Sequence, residues 1–159
     1  MKILHVLDVS VPKVAGYTIR SKNIVDNQKK IGLNPTVITS LRQTEISVQQ
    51  ESDFGLKMEN IDGIDYFRSD NANRSTNHLI TFLPVLRELN EIQVFSKNIM
   101  KLINNIKPDI IHAHSPILVG FAAYRAAKKY NLPFVYEVRA LWEDAAVEQG
   151  KMNEGTLKY

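Results

Sequence analysis

Two histidines, His112 and His114, lie in the segment Asp109-Ile-Ile-His-Ala-His-Ser-Pro-Ile117, and their type and spacing fit chemistry better than any other pair in the chain. Residues 109–113 are short, apolar and bounded by Pro108 on one side and Ser115-Pro116 on the other, which is the pattern of a central parallel strand. Ser115 is placed to cap the next helix and Pro116 to occupy its first turn. His114 then stands at the carboxyl end of a strand beside a helix N-terminus, where open α/β sheets put their ligands. An imidazole there can donate a hydrogen bond to a ligand or act as a general base. His112 shares the strand face, so a metal pair is conceivable. The chain has no cysteine, and no third histidine or carboxylate stands at ligand spacing nearby. His112 is therefore expected as a hydrogen-bonded core residue, and no metal or other cofactor is expected.

A second cluster follows the last expected strand. Glu137, Arg139, Glu143 and Asp144 surround Trp142. That gives a rim of mixed charge with an aromatic platform on which a sugar can stack and a guanidinium that binds phosphate as a fork. A helix start with ordinary surface charges accounts for the same residues equally well. Gly16 enters a helix from the first loop, where a missing side chain lets backbone N–H groups approach an anion at the positive helix end. A plain turn glycine is the simpler account of it. Neither G-x-G-x-x-G nor G-x-x-x-x-G-K-[ST] occurs, which argues against dinucleotide-binding enzymes and P-loop NTPases. Asp62 and Asp65 fall in a hairpin turn, and Glu51 and Glu59 in a polar loop and the hairpin, so neither pair makes a metal and nucleotide site.

The elements that position these residues alternate along the chain. Ile3-Leu-His-Val-Leu7 predicts a central first strand ending near Asp8, followed by a loop to Gly16. Residues 17–31 predict a helix with Tyr17, Ile24, Gln28 and Ile31 on one face, Val25 alongside and Gly32 as its stop. Pro35-Thr-Val-Ile-Thr39 predicts a second strand, parallel to the first after a right-handed crossover. Residues 41–55 are polar and predict a mobile loop. Residues 56–61 and 64–68 flank Asp62-Gly63, the pair that suits a tight hairpin, and predict a small antiparallel insertion. A long amphipathic helix is best begun at Pro84 and ended before Pro108. The strand at 109–113, a helix from Pro116 to about Tyr130 and a strand at 133–138 complete a doubly wound, mostly parallel α/β sheet. Strand order should reverse beside the first strand, so the loops at 8–16, 114–116 and 137–143 line one crevice.

Bulk properties narrow the classes. The chain's 159 residues, 44% hydrophobic, suit one domain. A net charge of +3 comes from basic residues spread along the sequence, which favours a solvated surface over a nucleic-acid footprint and leaves peripheral contact with anionic lipid as an option. The longest apolar run, 117–124, is far short of the ~20 residues of a membrane span. Absence of cysteine and of a signal-peptide pattern after Met1 predicts a cytoplasmic protein, at most peripheral at the inner membrane face.

Four segments together resemble the N-terminal domain of retaining GT-B glycosyltransferases of the family 4 type, nearest to the group associated with exopolysaccharide synthesis and exosortase systems. They are Ile3-Leu-His-Val-Leu-Asp8, Gly16-Tyr-Thr-Ile-Arg20, Pro108-Asp-Ile-Ile-His-Ala-His-Ser-Pro116 and Tyr136-Glu-Val-Arg-Ala-Leu-Trp-Glu-Asp-Ala145. They fall in the expected order over nearly the whole chain. The resemblance implies a Rossmann-like half of a GT-B fold whose enzymes move a sugar from a nucleotide-sugar donor to a glycan or lipid-linked acceptor. It implies that Gly16, with Ala15 before it, faces the donor phosphates and that His114 is the catalytic histidine contacting the transferred sugar. It also implies that Asp8, Tyr17, Arg20, Glu137, Arg139, Trp142 and Glu143 line the cleft. Many relatives have paired glycines where this chain has Ala15-Gly16. The family's nucleotide-binding C-terminal domain, with its E-x7-E signature, is missing from the sequence. The chain is therefore expected to be an acceptor-side domain with little activity alone. The rival expectations are a stand-alone glycan- or nucleotide-binding module and half of a sugar-nucleotide 2-epimerase.

Overall fold

The computed structural model describes residues 1–44, 50–69 and 84–139. They form strands β1 (Lys2–Leu7), β2 (Asn34–Thr39), β3 (Gln50–Glu51), β4 (Lys57–Ile61), β5 (Ile64–Arg68), β6 (Ile110–His114) and β7 (Phe134–Glu137). The helices among them are α1 (Gly16–Lys30), α2 (Pro84–Ile106) and α3 (Ile117–Tyr130). The strands make one seven-stranded sheet in the order β3-β4-β5-β2-β1-β6-β7. From β5 to β7 every neighbouring pair is parallel. The chain therefore leaves β1 toward β2 on one side and later returns to β6 on the other, which puts the order reversal beside β1 as the sequence predicts.

Two-residue alternation divides the sheet's apolar residues between its faces. Leu4, Val6, Ile38, Ile111 and Ala113 pack with Phe95, Ile99, Leu102 and Ile103 of α2 and Val119, Ala122, Ala123 and Ala126 of α3. On the opposite face Leu7, Val37, Ile64 and Tyr66 pack against Val25 of α1. The alanines of α3 bring it close to the sheet, and at Gly120 a Cβ would lie 2.6 Å from the Tyr136 ring.

Termini and turns follow local rules. After α1, Gly32 has φ +84° while Leu33 N–H donates to the Gln28 carbonyl and Gly32 N–H to that of Lys29, a Schellman stop. Asp62 and Gly63 have φ +53° and +74°, the two positive values of a type I′ hairpin.

Four details depart from the sequence expectation. The antiparallel hairpin forms as expected but is also part of the main sheet, because β5 pairs in parallel with β2 and β3 and β4 extend the sheet antiparallel. The 41–55 stretch carries strand β3 and the buried side chains of Leu41 and Gln43. The core face of α1 is Thr18, Ser21 and Val25, leaving Tyr17 and Ile31 exposed. Thr18 and Ser21 tolerate burial because their hydroxyls donate to the Lys13 and Ala15 carbonyls and to that of Tyr17. Finally Pro116, not Ser115, is the N-cap of α3, and the Ser115 hydroxyl instead accepts the Arg139 backbone N–H at 2.9 Å.

Candidate functional site

The carboxyl ends of β1, β6 and β7 converge with the start of α1 on a cavity of about 430 Å³. Asp8 and Lys13 line it from the first loop, Tyr17 and Ser21 from α1, His114 to Pro116 from the β6 tip, Arg139 from the β7 tip and Arg42 from the loop after β2. Lys13 and Arg42 escape the sequence analysis. They are unremarkable basic residues in loops, and only the topology brings them to this end of the sheet.

A buried cation holds the first loop in shape. Arg68, at the end of β5 and 1% exposed, donates from Nε to Glu59 at 2.7 Å, from one terminal nitrogen to the Ser10 hydroxyl at 2.6 Å and from the other to the Val11 carbonyl at 2.7 Å. Gln43 accepts the Ser10 backbone N–H at 2.8 Å. Ser40 donates to the Asp8 carboxylate at 2.8 Å, and Arg42 stands 3.8 Å from the same group and 3.5 Å from Glu91. Lys13 has no ion-pair partner among the described residues. With Arg42 and Arg139 against Asp8, the lining favours an anionic ligand.

Gly16 begins α1, and neither it nor Ala15 lines this cavity. Gly16 borders a shallow depression on the outer face of α1 with Ile19 and Arg20, and an added Cβ there would meet nothing within 4 Å. The Ala15 backbone N–H is taken by the Thr18 hydroxyl at 2.9 Å. Arg20 reaches across to Glu137 at 2.8 Å. Trp142 and Glu143 lie outside the described residues.

Beneath the cavity lies a cluster of imidazoles. The pairing of β1 with β6 sets His5 opposite His112, so a third histidine does stand beside the pair, contrary to the sequence expectation. His5 Nδ1 is 3.0 Å from His114 Nε2, and His5 Nε2 is 2.7 Å from Gln28 Oε1 on α1. His112 stacks on His114 with ring centroids 4.2 Å apart. The signal for His5 was in the sequence: it sits between Leu4 and Val6 and so faces the side of the sheet opposite to theirs.

The burial of the two strand histidines reverses what their positions suggest. The His114 side chain is 2% exposed and that of His112 18%. Arg139 roofs His114, with a terminal guanidinium nitrogen 2.5 Å from Nδ1. The same guanidinium donates to the Tyr17 carbonyl at 3.0 Å, to the Ser21 hydroxyl at 2.7 Å and to Glu137 at 3.2 Å. It thus ties β7 to α1 and β6. Glu137 is desolvated, which would raise its pKa, but the hydrogen bond and charge of Arg139 and the charge of Arg20 outweigh this and hold it below its ordinary value.

Burial, with the positive charge of Arg139 nearby, pushes His114 down to about 2, and burial pushes His5 down to about 4. His112 is lowered too, chiefly by desolvation. All three imidazoles are neutral at neutral pH. With both ring nitrogens engaged by His5 and Arg139, this arrangement suits a neutral hydrogen-bonding role for His114 better than that of a general base.

Three neutral imidazoles whose donor atoms lie within 4.8 Å of one another also raise the question of a metal. Two of them are already bonded to each other, Gln28 holds the far nitrogen of His5, and the fixed charge of Arg139 sits on His114. A divalent cation would have to displace these partners against that charge, so the set fits a hydrogen-bonded network better than a metal centre.

Known proteins resemble both the sequence and the fold. The family model described as Glycosyltransferase Family 4 matches residues 23–157, while no curated protein matches the chain. The fold is similar to the catalytic domain of starch synthase IV from Arabidopsis thaliana bound to ADP and acarbose, at 17% identity and TM-score 0.58 over 86% of this chain and 33% of that one. It is similar to sucrose-phosphate synthase from Thermosynechococcus elongatus at 12% identity and TM-score 0.61 over 96% of this chain and 37% of that one. It is also similar to the C-terminal domain of a hydrogenase from Pyrococcus furiosus at 14% identity and TM-score 0.51, over 86% and 90% of the two chains. At such identities the likeness shows the fold alone. The family match covers most of the sequence and the sheet has the matching doubly wound order, so the chain belongs to Glycosyltransferase Family 4 and its fold is a Rossmann-like N-terminal half of the GT-B architecture.

Proposed function

We propose that this chain is the acceptor-side domain of a retaining glycosyltransferase, which moves a sugar from a nucleotide-sugar donor to a glycan or lipid-linked acceptor and is completed by a second, nucleotide-binding lobe. The observation that supports this most is the meeting of the β1, β6 and β7 tips at one cation-lined cavity beside the strand-order reversal. One structural neighbour holds both a nucleotide and a glycan analogue, ADP and acarbose.

Transfer breaks the bond from the anomeric carbon to the donor phosphate oxygen and forms one to the acceptor hydroxyl oxygen. The acceptor's proton can leave with the departing diphosphate. Such a reaction asks the protein for fixed positive charge near the leaving group more than for a strong base, and neutral His114 beside clamped Arg139 suits that demand. No metal is needed in this scheme. Half of a cleft neither excludes water nor closes on a donor, so turnover requires the second lobe.

The test is nucleotide release from a panel of nucleotide sugars by the full-length protein, with the product's anomeric configuration read by NMR. Acceptor-dependent release with retention is expected, and the 159-residue chain alone should show almost none. Epimerised sugar formed without acceptor would establish the epimerase instead, and enzyme-like turnover by the short chain would overturn the division of labour.

A further inference from the structure

The side chains behind the cavity form a chain of fixed polarity. A guanidinium only donates hydrogen bonds, so at 2.5 Å from Arg139 the Nδ1 of His114 must carry a lone pair. Neutral His114 then bears its proton on Nε2, which is 3.0 Å from His5 Nδ1. His5 accepts there and bears its own proton on Nε2, which is 2.7 Å from the Gln28 carbonyl oxygen.

The opposite polarity has one attraction, since Glu137 Oε2 lies 2.9 Å from the same His114 Nδ1 and would welcome a proton there. It would, however, set an N–H against the N–H of Arg139, and it would require the Gln28 amide to turn and donate to His5. The close Arg139 contact decides between the two.

We propose that Gln28 and His5 are positioning residues that lock His114 in its Nε2-protonated tautomer, so that His114 anchors Arg139 and the cavity wall shared by α1, β6 and β7 is set from behind the sheet. Gln28 touches neither Arg139 nor the cavity lining, yet its acceptor oxygen selects the state of a ring two hydrogen bonds away. His5 and His114 are buried, which keeps water from supplying substitute partners between the two rings. Arg139 is spent in the process: its contacts to His114, Glu137, Tyr17 and Ser21 leave it as a fixed charge rather than a mobile ligand hook.

The tautomers are read directly from long-range nitrogen–proton NMR of the histidine rings in the chain, from about pH 5 to about pH 8. Nε2-protonated, non-titrating spectra are expected for both His5 and His114. A proton on His114 Nδ1, or exchange between tautomers, would overturn the proposal. Gln28→Met removes the acceptor at similar volume and should mix the tautomers of His114, whereas Gln28→Glu should keep the wild-type pattern at His114. An unchanged His114 spectrum in a folded Gln28→Met protein would overturn the relay. In the full-length protein, Gln28→Met should lower kcat about tenfold with KM little changed, as loss of an orienting partner does, and Gln28→Glu should restore it. This last arm rests on the glycosyltransferase reading. Absence of transferase activity in the wild type would sink that reading alone, because the tautomer spectra need no substrate.

Discussion

Acidification should unfold this domain earlier than its carboxylates would, because it buries imidazoles in the neutral form. His5 falls from 6.5 to about 4 and His114 to about 2 on folding, so between these values and 6.5 the unfolded chain binds protons that the folded chain refuses. Stability contributed by such groups is complete above the unfolded pKa and is lost as pH falls below it. From about pH 7 to about pH 5, each of the two rings forgoes about 1.5 units of protonation at ~1.4 kcal/mol per unit, or about 2 kcal/mol. Together they remove about 4 kcal/mol from a total of order 5–15 kcal/mol. Glu137 and Asp62 are held below their ordinary values, so their contribution is lost only at lower pH, and the window isolates the histidines. Urea unfolding followed by circular dichroism measures the loss. With a slope near 2 kcal/mol per molar, the midpoint should drop by about 2 M between these pH values. His5→Gln, which does not titrate, should shrink the drop without abolishing it, because His114 and the lowered His112 still contribute. A midpoint that stays level from neutral pH to about pH 5 would refute the picture of buried, neutral rings.

His114→Ala should cost about 3 kcal/mol in the same assay, because it opens a cavity and strips partners from His5 and Arg139, while the more exposed His112→Ala costs about 1 kcal/mol. Gly16→Ala should leave stability unchanged or slightly raised, since its Cβ meets nothing within 4 Å and its backbone needs no positive φ. A loss of donor binding by that variant of the full-length protein would therefore report a ligand against the α1 N-terminus, and normal binding would remove Gly16 from the site. Arg68→Met should destabilise by about 3 kcal/mol, because it removes a buried cation paired with Glu59 together with its hydrogen bonds to the Ser10 hydroxyl and the Val11 carbonyl. Adding Glu59→Leu should recover much of that in thermal melts.

The parallel core was legible because its signals are local. Alternation in 3–7, a β-branched run at 35–39, the Asp62-Gly63 turn and the Gly32 stop each act within a few residues, and each element formed within a residue or two of its expected place. The misjudged face of α1 shows where locality ends. Thr18 and Ser21 read as polar and therefore outward, yet hydrogen bonds to their own helix's first turns and to distant Arg139 make their burial cheap, and no periodicity scale registers a partner 118 residues away.

The same limit governs the site. Its location at the β1, β6 and β7 tips follows from strand order, which the sequence predicts. Its chemistry depends on register: once β1 and β6 are neighbours, pairing His5 with His112 makes a cluster of what looked like an isolated pair. Register also turns the reasoning about His114 around. A histidine at a strand tip invites assignment as a base, but a tip lying between a paired histidine and an overhanging arginine is a place where a proton cannot be gained. The ring's value there is that it stays neutral, with one lone pair and one N–H both committed. If the proposed transfer holds, a departing diphosphate gains more from a charge that cannot swing away than from a base that competes with the phosphate for a proton. His114, Ser21 and Glu137 hold that charge from three different elements.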